Sequence, residues 1–429
     1  MPILVIIVLM EKKGMDFLNN SLLFGMKPGL QNMEKLCSFF AHPEKTFRVV
    51  HVVGTNGKGS TAFYLSQILK AHGKKVGFYS SPHLVSLQER IRIDGTPISK
   101  IDLERLLLQV QKASTLEKVT LTFFEIMTMV CLLYFREQNI EIAVLEAGLG
   151  GRLDCTAIAK GELTILTNIG LDHTEVLGND KAAILNEKLG IISTGQVLVR
   201  RFLSTDLDEQ ASKWAIQKGI KEVIPELDLS IEVLNVGAHY KENASLSLKA
   251  AEILLSVEWD RSIAVNALSE SAFLGRMQTL KNKNGVLCFI LDGAHNLHAM
   301  ERLTETLSLH YNGKKMPCLF AAVKDKDASS MIEMLKPFVS EWYLTKTSYA
   351  RFRETNELAK LLLESGIPVK KQATLSKEFL MECERDAAGS PILVTGSLYL
   401  IGAVIDILKN DFDSLSFFRG LDATTNEHR

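Results

Sequence analysis

The eight residues Gly54-Thr55-Asn56-Gly57-Lys58-Gly59-Ser60-Thr61 constrain the fold of this chain more than any other stretch. They follow an apolar, β-branched run, Arg48–Val53, that reads as a buried strand. They open segment 60–72, where Phe63, Leu65, Ile68 and Leu69 recur at helical spacing and Gly73 stands just past the end. Strand, glycine-rich turn and helix, in that order, are the context a phosphate-binding loop requires. Glycines let backbone N–H groups turn inward onto an anion, and the helix N-terminus adds a partial positive charge. Lys58 is placed to neutralise β- and γ-phosphates, and Ser60 or Thr61 to reach Mg²⁺. The spacing is not the standard GxxxxGK[ST], because Gly59 stands between Lys58 and Ser60.

The same alternation continues along the chain. Runs 75–79, 140–145 and 163–168 are strand-like, and 101–113, 122–136, 181–191, 206–218 and 241–256 have helical periodicity. Ser99 and Asp102 read as a capping box before 101–113. Segment 281–285 (KNKNG) is polar with turn chemistry and reads as a linker. Beyond it strands at 286–291, 316–323, 341–344 and Ile392–Thr395 alternate with helices at 297–309, 328–338, 354–365 and Leu398–Leu408. Continuous βα alternation implies parallel sheets with helices on both faces. The expected division is residues 1–280 and 281–429, with a polar, frayed tail after Asp411.

Composition narrows the function classes. A chain of 429 residues allows two or three domains. Lys and Arg number 49 against 50 Asp and Glu, so there is no global basic field to hold nucleic acid or an anionic membrane. The six cysteines form no CxxC pair and read as buried free thiols of a reducing compartment. The first ten residues, MPILVIIVLM, fall short of the ~20 needed to span a bilayer. They lack a basic segment before them and a cleavage site after them. They read as an extra N-terminal piece, with Met15 where a shorter chain would start, and the protein is expected to be cytoplasmic.

Polar residues gather where strands end. Ser81-Pro82-His83 follows 75–79, Glu146 ends 140–145 and is followed by Gly148-Leu149-Gly150-Gly151-Arg152-Leu153-Asp154, and Asp172-His173 follows 163–168. In parallel α/β sheets ligands bind outside the carboxyl ends of strands, so these residues are expected on one edge beside the phosphate loop. Singly, Glu146 reads equally well as a turn cap and His173 as an ordinary loop histidine. Hard oxygen ligands with one imidazole suit Mg²⁺ or Mn²⁺ rather than zinc. In the second half Asp292-Gly293-Ala294-His295-Asn296 again ends a strand and opens a helix. His295 there reads as a nucleotide contact rather than a metal ligand with His298. Lys324-Asp325-Lys326-Asp327 reads as a solvated loop.

Taken in order, HVVGTNGKGST, SPHL…ERIRIDG, EAGLGGRLD, IGLDHTEVLG, EKLGII, DGAHN and GSLYLIG resemble the folylpolyglutamate synthases and the bifunctional dihydrofolate synthase–folylpolyglutamate synthases of the Mur ligase superfamily. The resemblance runs from about residue 16 to 408. It implies an α/β fold: a Mur-ligase-like P-loop nucleotide-binding domain with a mainly parallel sheet, plus a smaller Rossmann-like C-terminal domain. It implies an ATP-dependent ligase joining L-glutamate to dihydropteroate or folates through an acyl phosphate, with ATP as co-substrate and two Mg²⁺, and a monomer is expected. Gly57, Lys58, Gly59 and Ser60 would hold the triphosphate. Ser81 and Glu146 would bind magnesium, with His173 at a second site. Lys188 matches a carbamylated lysine. Asn243, Arg276, Asp292 and His295 match nucleotide contacts. Lys27, Pro28, Phe124 and Asp154 would lie at the pterin substrate. Lys58, Lys188 and His173 are thereby the catalytic set. Three positions depart from the family pattern: Ala157 where an Asn is usual, Leu297 where Pro is common, and LGII after Lys188 in place of AGI. Another Mur-type acid–amino-acid ligase, or a P-loop ATPase without ligation, are the competing readings.

Overall fold

The computed structural model describes residues 13–22, 29–228, 230–312, 314–415 and 417–418. The expectations for the apolar run 1–10 and for Lys27 and Pro28 lie outside the described residues. The chain divides into two compact units. One holds residues up to Ser81, Gln88–Glu232 and Lys241–Ser271; the other holds Pro82–Leu87, Val233–Tyr240 and the chain from Ala272.

The first unit is built on an eight-stranded sheet. Its strands are β1 (Arg48–Val53), β2 (Val76–Tyr79), β3 (Ile91–Ile93), β4 (Thr96–Pro97), β5 (Ile142–Glu146), β6 (Leu163–Leu166), β7 (Val197–Arg200) and β8 (Lys221–Val223). Their order across the sheet is β4-β3-β2-β5-β1-β6-β7-β8. Every pair from β2 to β8 is parallel, and β3 and β4 are antiparallel additions at one edge. β1 and β5 are buried almost end to end, as strands covered on both faces must be. The helix Lys58–Ala71 buries Tyr64, Leu65, Ile68 and Leu69. The parallel strands β1, β2, β5 and β6 send their following loops to a single edge, so 54–57, 80–81, 147–154 and 167–173 are neighbours by topology.

The second unit carries β9 (Gln278–Lys281), β10 (Leu287–Leu291), β11 (Met316–Phe320), β12 (Val339–Lys346), β13 (Val369–Thr374) and β14 (Ile392–Thr395), ordered β13-β12-β11-β14-β10-β9. All neighbours are parallel except β9 and β10. That exception corrects the reading of 281–285 as a linker. Asn282 N–H donates to Val286 O and Gly285 N–H to Asn282 O, both under 3 Å, closing a hairpin between β9 and β10. Gly285 supplies the positive φ of 77°. The turn chemistry is present, but it serves one sheet. The boundary expected at 280 therefore falls within a sheet whose unit takes in the continuous chain from Ala272.

Other differences have local causes. A polar tail does not begin at Asp411, since Phe412, Leu415 and Phe418 are buried in the second core, and the expectation for 419–429 lies outside the described residues. Ser99 and Asp102 do not form a reciprocal box. Asp102 N–H donates to Ser99 Oγ, but the short Asp102 side chain takes the Ser99 hydroxyl, at 2.8 Å. The full box is at Thr122 and Glu125, where the longer carboxylate reaches back to Thr122 N–H at 2.7 Å. All six cysteines are free and buried, as expected.

At the end of β7 the Arg200 guanidinium is fully buried between Asp208 at 2.6 Å and Glu222 at 2.7 Å. Removing one partner of such a set strands the other charges. Arg200→Ala is expected to destabilise the first unit by about 3–5 kcal/mol, read in urea unfolding.

Candidate active site

The phosphate loop is shaped by two glycines. Gly54 has φ +149°, a region essentially closed to other residues, and a Cβ there would overlap the Thr167 hydroxyl. Gly57, at φ +78°, is the N-cap of the helix Lys58–Ala71. A helix leaves its first N–H groups without intrahelical partners, so the turn beginning at Lys58 presents donors to an anion. Asn243 lies over this turn. Its amide donates to Ser60 Oγ at 2.9 Å, and its Oδ1 would be 2.9 Å from a Cβ at Gly57.

The turn after β6 fastens the loop from the other side. Thr55 N–H donates to Asn168 O at 3.0 Å. The Asn168 amide pairs with both backbone groups of Asn56, accepting from N–H and donating to C=O, each at 2.9 Å. The Thr55 hydroxyl donates to Gly170 O and accepts from Gly170 N–H. Thr55 and Asn56 belong to the loop motif read from the sequence, whereas Asn168 and Gly170 carry no signal there beyond their place in the TNIGLDH stretch.

Two lysines meet at this loop. Lys58 Nζ donates to Gly54 O at 3.1 Å and Thr55 O at 3.0 Å. Lys188 Nζ donates to the same Gly54 O at 2.8 Å although the two residues are 134 apart in sequence. Lys188 is 3% exposed. Burial, with the Lys58 charge beside it, pushes its amine down to about 7, against the pull of Asp154, Asp172 and Glu187. Its helix, Lys181–Leu189, is seated on the glycine loop after β5. A Cβ at Gly151 would come within 2.5 Å of Lys188 O, and Arg152 N–H donates to Glu187 O.

Glu146, at the end of β5, is buried, and its Oε2 accepts the Ser81 N–H at 3.0 Å. The two expected magnesium ligands are thus adjacent. His173 sits in a left-handed conformation at φ +51°, as N-cap of the short helix Thr174–Leu177, with its ring near Asp172. Among the described residues no three His, Cys, Asp or Glu side chains converge into a metal cage. That donor set fits Mg²⁺, which takes one or two carboxylates and fills its shell with water and substrate phosphate.

Two expected substrate residues have different surroundings. The Phe124 ring packs on Gly148, where a Cβ would lie 2.6 Å from it, and beside Tyr79. Asp154 is engaged by its own loop. Its carboxylate accepts from Leu149 N–H, Thr156 N–H and Thr156 Oγ1. The geometry makes Asp154 an organiser of the glycine loop. Burial raises its pKa, and those donors oppose the rise. Beneath it the wholly buried His51 of β1 donates from Nε2 to Thr156 O. Burial holds that imidazole neutral, with its pKa lowered to about 4.

The second unit gathers its own set at the end of β10. Asp292 accepts from Met277 N–H and Ala294 N–H, both at 2.9 Å. Burial pushes its carboxyl up, opposed first by the Arg276 charge. Gly293 leaves room for the Arg276 guanidinium and Leu398, which a Cβ would overlap. His295 Nδ1 is 2.8 Å from Gly293 O. Asp292, Arg276 and His295 therefore form one cluster within this unit.

Comparison with known proteins agrees with both halves. Residues 52–251 match the Mur ligase middle domain and 275–398 the Mur ligase glutamate ligase domain. The chain is 31% identical over 432 residues to a dihydrofolate synthase/folylpolyglutamate synthase of Bacillus subtilis, covering 92% of this chain and 98% of that protein. Its fold is similar to that of a folylpolyglutamate synthase from Thermotoga maritima, with TM-score 0.79, 27% identity, and 94% and 99% of the two chains covered. It is also similar to an Escherichia coli enzyme solved in complex with DHPP and ADP, with TM-score 0.77, 26% identity, and 90% and 94% covered.

Gly54→Ala tests the loop's geometry. Strain at φ +149° together with overlap on Thr167 is expected to weaken binding of a non-hydrolysable ATP analogue by about tenfold or more, in calorimetric titration.

Proposed function

This chain belongs to the folylpolyglutamate synthase family of Mur ligases, and from that premise we propose that it is an ATP-dependent ligase joining L-glutamate to dihydropteroate and to reduced folates. The observation that carries the reading is the meeting of Lys58, Lys188 and the Gly54 carbonyl beside the loop that ends in His173. A carboxylate is a poor electrophile until one oxygen becomes a good leaving group. Transfer of the γ-phosphoryl group of ATP to that oxygen gives an acyl phosphate. The glutamate amine then attacks the acyl carbon and phosphate departs. Charge on the transferring phosphoryl group is met by Lys58 and by the N–H groups opening the helix Lys58–Ala71. The carboxylate of Glu146 and the hydroxyl of Ser81 would hold Mg²⁺, with His173 at a second ion; bound there, Mg²⁺ supplies charge neutralisation at the phosphates.

Lys188 has the chemistry for carbamylation. A neutral amine attacks CO₂: an N–C bond forms, one C=O pair moves to oxygen, and a proton leaves nitrogen for solvent. An amine depressed to about 7 is largely neutral in mildly alkaline solution, whereas an ordinary lysine is not. The product is a carboxylate-like group beside Asp172, in place of a cation that no metal can use. The Bacillus subtilis relative's double name, and its near-full-length match, support both ligations in one chain. The reading places the enzyme in the cytoplasm, as a monomer. Among the described residues no helix is long and apolar enough to cross a membrane.

Two measurements test this. Glutamate-dependent phosphate release is expected with 7,8-dihydropteroate and with a reduced folate monoglutamate, and Lys58→Ala is expected to lower kcat at least ~10²-fold in both. Phosphate release that ignores glutamate would favour a plain ATPase. With ¹³CO₂ at fixed concentration, a carbamate signal absent from Lys188→Ala should grow as pH rises through about 7, because the reacting amine loses its proton there. A signal that stays absent up to pH about 9 would remove carbamylation from the account.

A further inference from the structure

The hydrogen bonds between the phosphate loop and the turn after β6 do more than close a loop. We propose that Asn168 and Thr55 are positioning residues: together they yoke the phosphate loop to the segment that carries Asp172 and His173, so that phosphate donors and the His173 side are set in register. This rests on the ATP-dependent reading above and adds residues to it.

Asn168 imitates a β-strand neighbour. Its side-chain amide takes both the N–H and the C=O of Asn56 at 2.9 Å, while its own carbonyl takes Thr55 N–H. The Asn56 carbonyl also accepts the Thr167 hydroxyl at 2.7 Å. The N–H groups of Thr55 and Asn56 are therefore taken by acceptors within the protein, and the turn that opens the helix Lys58–Ala71 is left to present donors to an anion. Without that arrangement, two further peptide groups would be loose in a loop whose flanking glycines impose no conformation of their own. Thr55 extends the yoke two residues along. Its hydroxyl both donates to Gly170 O at 3.0 Å and accepts Gly170 N–H at 2.9 Å, and Gly170 stands two residues before Asp172. Lys58 and Lys188 both donate to Gly54 O, so displacement of this loop moves the acceptor that holds both amines.

Thr55→Val keeps the shape and removes the hydroxyl, whereas Thr55→Ser keeps the hydroxyl. Asn168→Ala removes both amide contacts, and Asn168→Asp keeps the shape but sets a carboxylate against the Asn56 carbonyl. Thr164→Val is the control. It lies on β6, the strand that leads into the Asn168 turn, buried, with its hydroxyl 3.3 Å from Gln196 Oε1. Each variant is titrated with Mg²⁺ and a non-hydrolysable ATP analogue and assayed for KM and kcat. Thr55→Val and both Asn168 variants should raise the nucleotide Kd and the KM for ATP by about tenfold, the equivalent of about 1.4 kcal/mol. Thr55→Ser should stay near wild type, and KM for the pterin acid should be unchanged. If Asn168→Ala does not fold, the Thr55 pair decides alone. Wild-type nucleotide affinity in folded Thr55→Val would overturn the proposal, as would an equal loss in Thr164→Val. Failure of the wild-type protein to bind the analogue would instead refute the ATP-dependent reading itself.

Discussion

Two lysine side chains that converge on the Gly54 carbonyl are the interaction on which the first unit's site depends. An ammonium group beside another ammonium group, one of them buried, is costly unless something offsets it. Here the offset comes from a shared carbonyl acceptor, from the carboxylates of Asp154 and Asp172, and from a proton affinity lowered enough to let Lys188 go neutral. Much of the local structure can be derived from the need to keep that carbonyl where it is. Gly54 takes a backbone conformation open to glycine, and Thr167 fills the space where its Cβ would stand. Gly151 lets the Lys188 helix approach the loop after β5. Asp154 freezes that loop through Leu149 and Thr156, and His51 supports it from the central strand.

The second unit solves a different problem with similar means. Asp292 is a buried carboxyl held by two backbone N–H groups and by the field of Arg276. Gly293 admits the guanidinium that a side chain would exclude. Both units thus place their charged groups just past the carboxyl end of a parallel strand. In each, a glycine at close quarters sets the approach of a cation.

The strand–loop–helix at 48–72 and the βα alternation were legible because buried parallel strands and amphipathic helices leave strong periodic signals. Lys58 stands in a strand–loop–helix pattern and Glu146 at a strand end, so both could be singled out from the residues themselves, whereas Lys188 came only through the family resemblance. What the sequence concealed was non-local or short. The strand Val369–Thr374 alternates between partly buried and exposed residues and is rich in lysine, so no apolar run marks it. β9 is four residues long and pairs antiparallel with its neighbour, which turned a hairpin at 282–285 into an apparent linker. Asn168 and Thr55 act through backbone partners more than 110 residues away, contacts that leave no trace in local spacing. The resemblance sets Asp154 at the substrate, while the bonds of its carboxylate to Leu149 and Thr156 of its own loop are visible only in the structure.

In the proposed reaction ATP activates the acid as an acyl phosphate at this site. Isotope transfer tests it directly. Dihydropteroate labelled with ¹⁸O in its carboxylate is incubated with enzyme, ATP, Mg²⁺ and L-glutamate, and the released phosphate is analysed by mass. One labelled oxygen is expected in phosphate for each amide formed, because the oxygen that accepted the phosphoryl group leaves with it. Amide formation with unlabelled phosphate, or phosphate release with no amide, would contradict it.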